Sequence, residues 1–359
     1  MITVPVSLGP RSYEVRLGNF PTDLAADAIA DAVGKASGVA ILVDGNVSER
    51  SPRVRPLCEA LAHRLPHVNV LPLAGGEACK TFAQLETTCQ WLATMGYDRG
   101  AALVAIGGGA ACDHTGFAAA IYMRGVDFVL CPTTLLALVD ASVGGKTAVD
   151  LQAGKNLVGA FHQPRLVLGD LGFLQTLPAR EQAAGMAEVV KAGLIADAPL
   201  FERLERESDA LSPAALPEIT AAAVRMKADV VARDERESNL RAILNFGHTL
   251  GHALEAASGF ALLHGEAVSL GMIAALTLGA HRGHNDQELI ARTRALLARL
   301  RLPVDAAGRF TPEVLARVEV DKKRRGGGVR FVFVPAPGRA VFEDIALADL
   351  REDVRTCLG

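Results

Sequence analysis

No run of about 18 consecutive apolar residues occurs in the 359-residue chain, so no segment has the length a membrane-spanning helix needs. The opening, Met1-Ile2-Thr3-Val4-Pro5-Val6, lacks the basic start and apolar centre of a secretion signal. Charge of one sign is not in excess either. With 37 Lys and Arg against 40 Asp and Glu the net charge is −3, and no basic field is available to draw nucleic acid. The six cysteines, at 58, 79, 89, 112, 131 and 357, include no C-x-x-C pair and read as buried thiols of a reducing compartment. Together these absences set the expectation of a cytoplasmic protein with no nucleic-acid partner and no membrane. There is no internal repeat and no long low-complexity linker. What is present is globular: 50% of the residues are hydrophobic and 21% charged, and the length suits two domains.

The first half alternates short apolar runs with helical stretches. Val39–Val43, Ala101–Ile106, Asp127–Leu130 and Leu166–Leu168 are bounded by Gly, Pro or Asp, as buried parallel strands are. Helix-period segments such as Phe82–Met95 lie between them. The texture changes after about Phe173. Leu177-Pro178-Ala179-Arg180-Glu181 reads as a helix start. Helical patterns follow over Ala187–Ala196, Ile219–Ala232, Gly247–Ala257, Ala267–Ala280 and Glu288–Arg299. Val329–Val334 alternates like a strand and can pair with Ala340–Phe342. The expected architecture is α/β: an N-terminal Rossmann-like parallel-sheet domain over 1–172, then a mainly α-helical C-terminal domain over 173–359.

Three groups of residues carry chemistry. Ile106-Gly107-Gly108-Gly109 ends a strand pattern and opens a helix, where backbone N–H groups and the helix dipole can receive a pyrophosphate. The G-x-G-x-x-G pattern is only partly met, since Cys112 takes the third glycine position, so a cofactor loop and a plain tight turn both fit. Asp113 is either a polar anchor there or a first-turn acid. His248 and His252 stand at i and i+4 on one helix face, His264 follows, and Glu188 and Lys191 stand at i and i+3 on another helix. Imidazoles with a carboxylate suit a catalytic zinc, although an isolated H-x-x-x-H is often accidental. Thr249 in place of a glutamate disfavours a zinc peptidase. His63, His67, His281 and His284 read as solvated. Finally, Val143–Thr147 and Gly154–Asn156 put Lys146, Lys155 and Asn156 on what reads as a flexible glycine-rich backbone. It suits phosphate or polyol recognition, or is a plain surface loop. Asp321–Arg325 is a charge run, by default a solvated loop.

Pro132–Leu136 followed by Val139-Asp140-Ala141-Ser142-Val143-Gly144-Gly145-Lys146-Thr147-Ala148-Val149 resembles the core signature of the 3-dehydroquinate synthases. So do Gly154–Pro164, Ala187–Lys191, Asn245–Ala253 and Leu263–Ala267. The resemblance runs in order from about Gly75 to Lys323. Glycerol-dehydrogenase-like enzymes lack the long V-D-A-S-V-G-G-K-T-A-V run, and other sugar-phosphate cyclases usually differ within it. The chain departs from the family's usual G-G-G-x-x-G-D-L at Cys112 and His114.

The resemblance implies roles. Glu188, His248 and His264 match metal ligands, holding zinc or cobalt. Asp44, Asn46, Gly76, Glu77, Lys80, Gly107, Gly108, Gly109, Asp113, Thr133, Thr134, Lys146, Lys155, Phe173 and Thr176 match the NAD-binding segments. Lys146, Asn156 and Asn245 match substrate-phosphate contacts, and Arg124 matches one supplied by a neighbouring subunit, which implies a homodimer. Lys227, Arg241 and one of Lys322 and Lys323 match carboxylate contacts. Asp140, Lys155, Lys191 and His252, with Glu188, match the groups around the reacting hydroxyls. The implied reaction turns 3-deoxy-D-arabino-heptulosonate 7-phosphate, a small sugar phosphate, into 3-dehydroquinate and phosphate. It proceeds by oxidation, phosphate elimination, re-reduction, ring opening and aldol closure. A cyclase of secondary metabolism, or a non-catalytic NAD-binding paralogue, are the alternatives.

Overall fold

The computed structural model of the chain describes residues 1–259, 261–322 and 328–359. It contains two compact units. One joins Met1–Pro178 with Lys227–Arg236, and the other joins Ala179–Met226 with Glu237–Gly359.

The first unit carries strands β1 (Ile2–Val6), β2 (Tyr13–Gly18), β3 (Val39–Asp44), β4 (Val68–Leu73), β5 (Ala102–Gly107), β6 (Asp127–Pro132), β7 (Lys146–Leu151), β8 (Gly154–Phe161) and β9 (Leu166–Asp170). Seven of them form one sheet in the order β1-β2-β9-β6-β5-β3-β4. Its pairings are parallel except for β1, which runs antiparallel to β2. Every residue of β3 and β5 is buried, which is why V-A-I-L-V-D and A-L-V-A-I-G show no polar alternation. Ile29 and Leu61, from helices Thr22–Val33 and Val54–Arg64, pack with Ile41, Val104 and Ile106 in the core under the sheet. The two outermost strands each contain a proline, Pro5 in β1 and Pro72 in β4. The chain leaves β3 for β4 on one side and returns to β5 on the other. The carboxyl ends of β3 and β5, Asp44 and Gly107, therefore flank a topological switch point, where open α/β sheets bind ligands.

The cation-bearing stretch expected to be flexible is instead an antiparallel hairpin, β7 with β8, registered from Lys146 opposite Phe161 to Leu151 opposite Gly154. Thr147, Ala148 and Val149 are buried and anchor the hairpin, while Lys146 and Asn156 are exposed.

The second unit is mainly helical. Its helices Ala179–Ala196 and His264–His281 are buried over nearly their whole length, with unbroken buried runs at Ala183–Ile195 and Ala267–Leu276. A helix that is apolar all round belongs at the centre of a bundle. Glu188 and Lys191 are charges set inside such a helix, and burial there demands partners. Helices Ala198–Arg206, His248–Ala257, Gln287–Arg299, Pro312–Lys322 and Leu347–Leu358, the larger part of Leu216–Arg233, and the hairpin β10 (Gly328–Ala336) with β11 (Arg339–Ala346) also belong to the unit. The expected strand Val329–Val334 is thus present, with Val332 opposite Phe342. His284 is not merely solvated: its Nε2 lies 2.6 Å from Glu343 Oε2 and its ring stacks on Phe333.

Candidate active site

Three helices of the second unit bring Glu188, His248 and His264 together. Glu188 Oε1 stands 3.5 Å from Nε2 of His248 and 3.4 Å from Nε2 of His264. His252, one turn beyond His248, has its ring centroid 5.0 Å from that of His248 and 5.5 Å from that of His264. One nitrogen from each of the three histidines falls within 4.8 Å of the others. Lys191 pairs with the second oxygen of Glu188. Glu188 Oε1 is buried and accepts no hydrogen bond. A buried carboxylate oxygen facing two imidazole nitrogens and lacking a proton donor is what a cation site looks like before the cation is counted.

Small residues let these helices approach. A Cβ on Gly265 would fall 1.9 Å from the Ala184 carbonyl oxygen, so only glycine allows helix His264–His281 to lie this close to helix Ala179–Ala196. Gly247 adopts φ +75° just before His248, where a Cβ would also strike Met272. Glu266 fixes the start of the helix that opens with His264. Its Oε2 accepts the Leu263 N–H at 2.9 Å, and Arg180 grips both its oxygens at 2.6 Å.

The electrostatics fit the same picture. Burial opposes the charge on Glu188, but Lys191 and the two imidazoles outweigh it and hold the carboxyl well below its ordinary range. Burial, with Lys191 next, keeps His248 neutral, well below the usual histidine value. Burial also opposes a charge on His264, yet the Glu188 and Glu255 carboxylates prevail and lift it to about 9.

In the first unit, the segment Gly76–Lys80 gathers the other expected residues. Asp44 accepts the Asn46 N–H at 2.8 Å and the Gly76 N–H at 3.0 Å. Glu77 pairs with Lys155 at 3.2 Å. Lys80 is buried and donates to Asp113 at 2.8 Å and to Asn156. Burial raises Asp113 to about 6 against the pull of Lys80. Asn156 holds φ +56°, and its N–H is bound by Asp150 at 2.8 Å. Gly107, Gly108 and Gly109 make the turn from β5 into helix Gly109–Ile121. The Thr133 N–H donates to the Gly107 carbonyl at 2.9 Å, and the Thr134 side chain lies against Gly108. Cys112 is accommodated inside that helix, its thiol 3.8 Å from the Gly107 carbonyl.

The remaining expected residues are dispersed. Lys227 bonds both the carboxylate and the carbonyl of Asp140. Phe173 belongs to the apolar core beneath the sheet, and Thr176 bonds its carbonyl at 3.2 Å. Lys146 is exposed on the hairpin. Arg124 is exposed on a turn where Met123, Arg124 and Gly125 all have positive φ. Arg241 is buried in the segment Leu240–Asn245, and Asn245 donates to Glu237 at 2.9 Å. Lys322 closes helix Pro312–Lys322, with its side chain outside the described part, and Lys323 lies outside the described residues. Two residues escaped the reading of the sequence. Glu255 shares a helix face with His248 and His252 at the i, i+4, i+7 spacing, which was the available signal. Asp150 carried none, being one acid on a polar hairpin.

Family models decide the kinship. The model of the 3-dehydroquinate synthase N-terminal region matches residues 70–184, and that of the C-terminal region matches 185–324. The chain belongs to the 3-dehydroquinate synthase family. Within this family, the 3-dehydroquinate synthase of Caulobacter vibrioides (strain NA1000 / CB15N) is 44% identical over 361 residues, covering 97% of each chain. Two solved structures share the fold over nearly full length. One is 2-epi-5-epi-valiolone synthase from Streptomyces hygroscopicus subsp. jinggangensis 5008 with NAD+ and Zn2+ bound, at 31% identity, 98% coverage of both chains and a TM-score of 0.86. The other is 2-deoxy-scyllo-inosose synthase complexed with carbaglucose-6-phosphate, NAD+ and Co2+, at 25% identity, 99% and 100% coverage and a TM-score of 0.86.

Proposed function

We propose that this member of the family is a 3-dehydroquinate synthase. It converts 3-deoxy-D-arabino-heptulosonate 7-phosphate to 3-dehydroquinate and phosphate, in the cytoplasm, with NAD and a zinc or cobalt ion. The observation that carries the reading is the unpartnered Glu188 Oε1 facing two imidazole nitrogens. The near-full-length likeness to the Caulobacter synthase supports it.

Glu188, His248 and His264 would hold the metal. Asp44, Asn46, Gly76, Glu77, Lys80, Gly107–Gly109, Asp113, Thr133 and Thr134, within a nucleotide-binding region taken as 1–172, would form the NAD site together with Phe173 and Thr176 just beyond it. The metal supplies Lewis acidity at a substrate hydroxyl, and NAD supplies a hydride acceptor that is restored within each cycle. Lys191 keeps a buried positive charge where an enolate would gain negative charge during phosphate loss. His252 stands beside both imidazole ligands, exposed, and suits a proton relay. Lys146, Lys155, Asn156 and Asn245 would bind the phosphate, and Lys227, Arg241 and Lys322 or Lys323 the carboxylate. Asp140, held by Lys227, would orient the ring hydroxyls. Arg124 would reach the phosphate of a partner subunit in a homodimer. The exposed apolar residues Ile121 and Met123 beside it, together with Phe161, support such an interface.

The test is release of inorganic phosphate from the heptulosonate phosphate by metal-loaded protein with NAD, without net NADH. A sugar-phosphate panel separates the synthase from a cyclase of secondary metabolism. His264→Ala is expected to abolish both zinc binding and turnover; a variant that kept stoichiometric zinc would contradict the ligand assignment.

A further inference from the structure

Glu255 has no part in the roles assigned above, yet it is 6% exposed and faces the site. It lies seven residues after His248 and three after His252, on the face of helix His248–Ala257 that carries both. Its Oε2 is 3.3 Å from Nδ1 of His264, and Nε2 of the same ring is 3.4 Å from Glu188 Oε1. With Nε2 turned to a cation, Nδ1 carries the ring proton and donates it to Glu255. His248 is held differently: its Nδ1 lies 3.1 Å from the Phe246 carbonyl, a neutral acceptor. The turn after Glu255 is braced, since Ser258 Oγ donates to the Glu255 carbonyl at 2.7 Å and accepts the Leu262 N–H at 3.2 Å.

We propose that Glu255 is a positioning residue for the metal: its carboxylate fixes the tautomer and plane of His264 and makes that ring the stronger donor of the two imidazoles. The proposal rests on the metal reading above. A carboxylate behind a ligating imidazole locks its orientation and raises its basicity, and loss of such a partner typically weakens metal binding about 10–100-fold. The arrangement gives the ion two unlike imidazoles, one backed by a charge and one by a peptide carbonyl. It also lets one helix supply His248 directly and act on His264 through Glu255.

The experiment needs no turnover. Metal-free full-length protein and its Glu255→Gln and Glu255→Ala variants are titrated with cobalt against a competing chelator, and the visible ligand-field bands are recorded. Thermal unfolding of the metal-free forms checks their integrity. Glu255→Ala is expected to bind cobalt about 10–100-fold more weakly. Glu255→Gln, which keeps an acceptor for Nδ1–H but loses the charge, should lose less affinity and shift the bands. The isosteric glutamine variant decides alone should the alanine variant not fold. Native affinity with unchanged bands in the variants overturns the proposal. Native protein that takes up no cobalt instead overturns the metal assignment itself, which separates the two failures.

Discussion

His114 stands where the family usually has leucine, and its surroundings make it an acid-sensitive point in the first unit. It is fully buried, with Nε2 2.9 Å from Thr88 Oγ1. Burial lowers its pKa to about 4, against the opposing pull of the Cys79 carbonyl. The folded value lies below the unfolded one. The contribution is therefore intact above the ordinary histidine range and is lost as pH falls from about 6.5 through 4, because only the unfolded chain takes the proton. The loss reaches about 3 kcal/mol by pH 4. Urea midpoints measured between pH 7 and 4.5 should show a steeper acid decline for the native protein than for His114→Leu; parallel declines would contradict this. Lys80 is a second buried residue on which the first unit depends, through its ion pair with Asp113. Replacing it with methionine strands the Asp113 carboxylate and should cost about 3 kcal/mol with a clear loss of NAD affinity. The double change Lys80→Met with Asp113→Asn should recover much of the stability, as urea titration and NAD titration would report. At this scale the sequence was informative where spacing and residue type coincide. His248, His252, Glu188 and Lys191 declared themselves by helical periodicity. Glu255 did not, since an acid on a helix reads as a solvated charge until the ring that it touches, nine residues on and past a turn, is seen beside it.

At the scale of elements, the cluster of Glu188, His248 and His264 proposed to hold the metal depends on how closely three helices lie, and Gly265 sets one of those distances. Gly265→Ala places a methyl against the Ala184 carbonyl and must push two helices apart. We expect a loss of about 3 kcal/mol in stability together with the zinc, because His264 moves with its neighbour. Thermal melts and metal analysis check it; a zinc-replete variant with native stability would refute it. The same scale explains what could be read beforehand. β3, β5, β6 and β9 are buried on both faces, so their sequences are nearly continuous apolar runs. β1 and β2 are short and half-polar, and β4 is mostly exposed or half-exposed, so nothing marked them off from loops. The β7–β8 hairpin was hidden for a sharper reason. Its lysines, asparagine and glycines suit ligand recognition rather than strand propensity, and only its pairing register makes it a hairpin.

For the whole molecule, the change from alternating β and α to mostly helix was plain in the sequence because it alters the hydrophobic period itself. Lys227–Arg236, which belongs to the sheet-bearing unit, gave no such sign, lying within and just after one continuous helix, Leu216–Arg233. Self-association belongs to this scale too. Ile121, Met123 and Phe161 are each between 41% and 44% exposed, and a bond from the His162 ring to the Val126 carbonyl at 2.8 Å ties their segments together. Sedimentation equilibrium of the native protein should give twice the chain mass. Ile121→Asp with Phe161→Glu should give single chains with strongly reduced turnover, since Arg124 would lose its partner site. A native protein that sediments as a single chain would contradict the proposed dimer.

Pro5 and Pro72, one in each outermost strand, have a different consequence. An open sheet ends in two rows of unmet peptide groups, and such margins recruit other chains into fibrils and precipitates. A pyrrolidine ring at each margin removes a donor from that row and spoils the template. Exchanging these prolines for valine would leave the fold's interior untouched while inviting the protein to clump in concentrated solution.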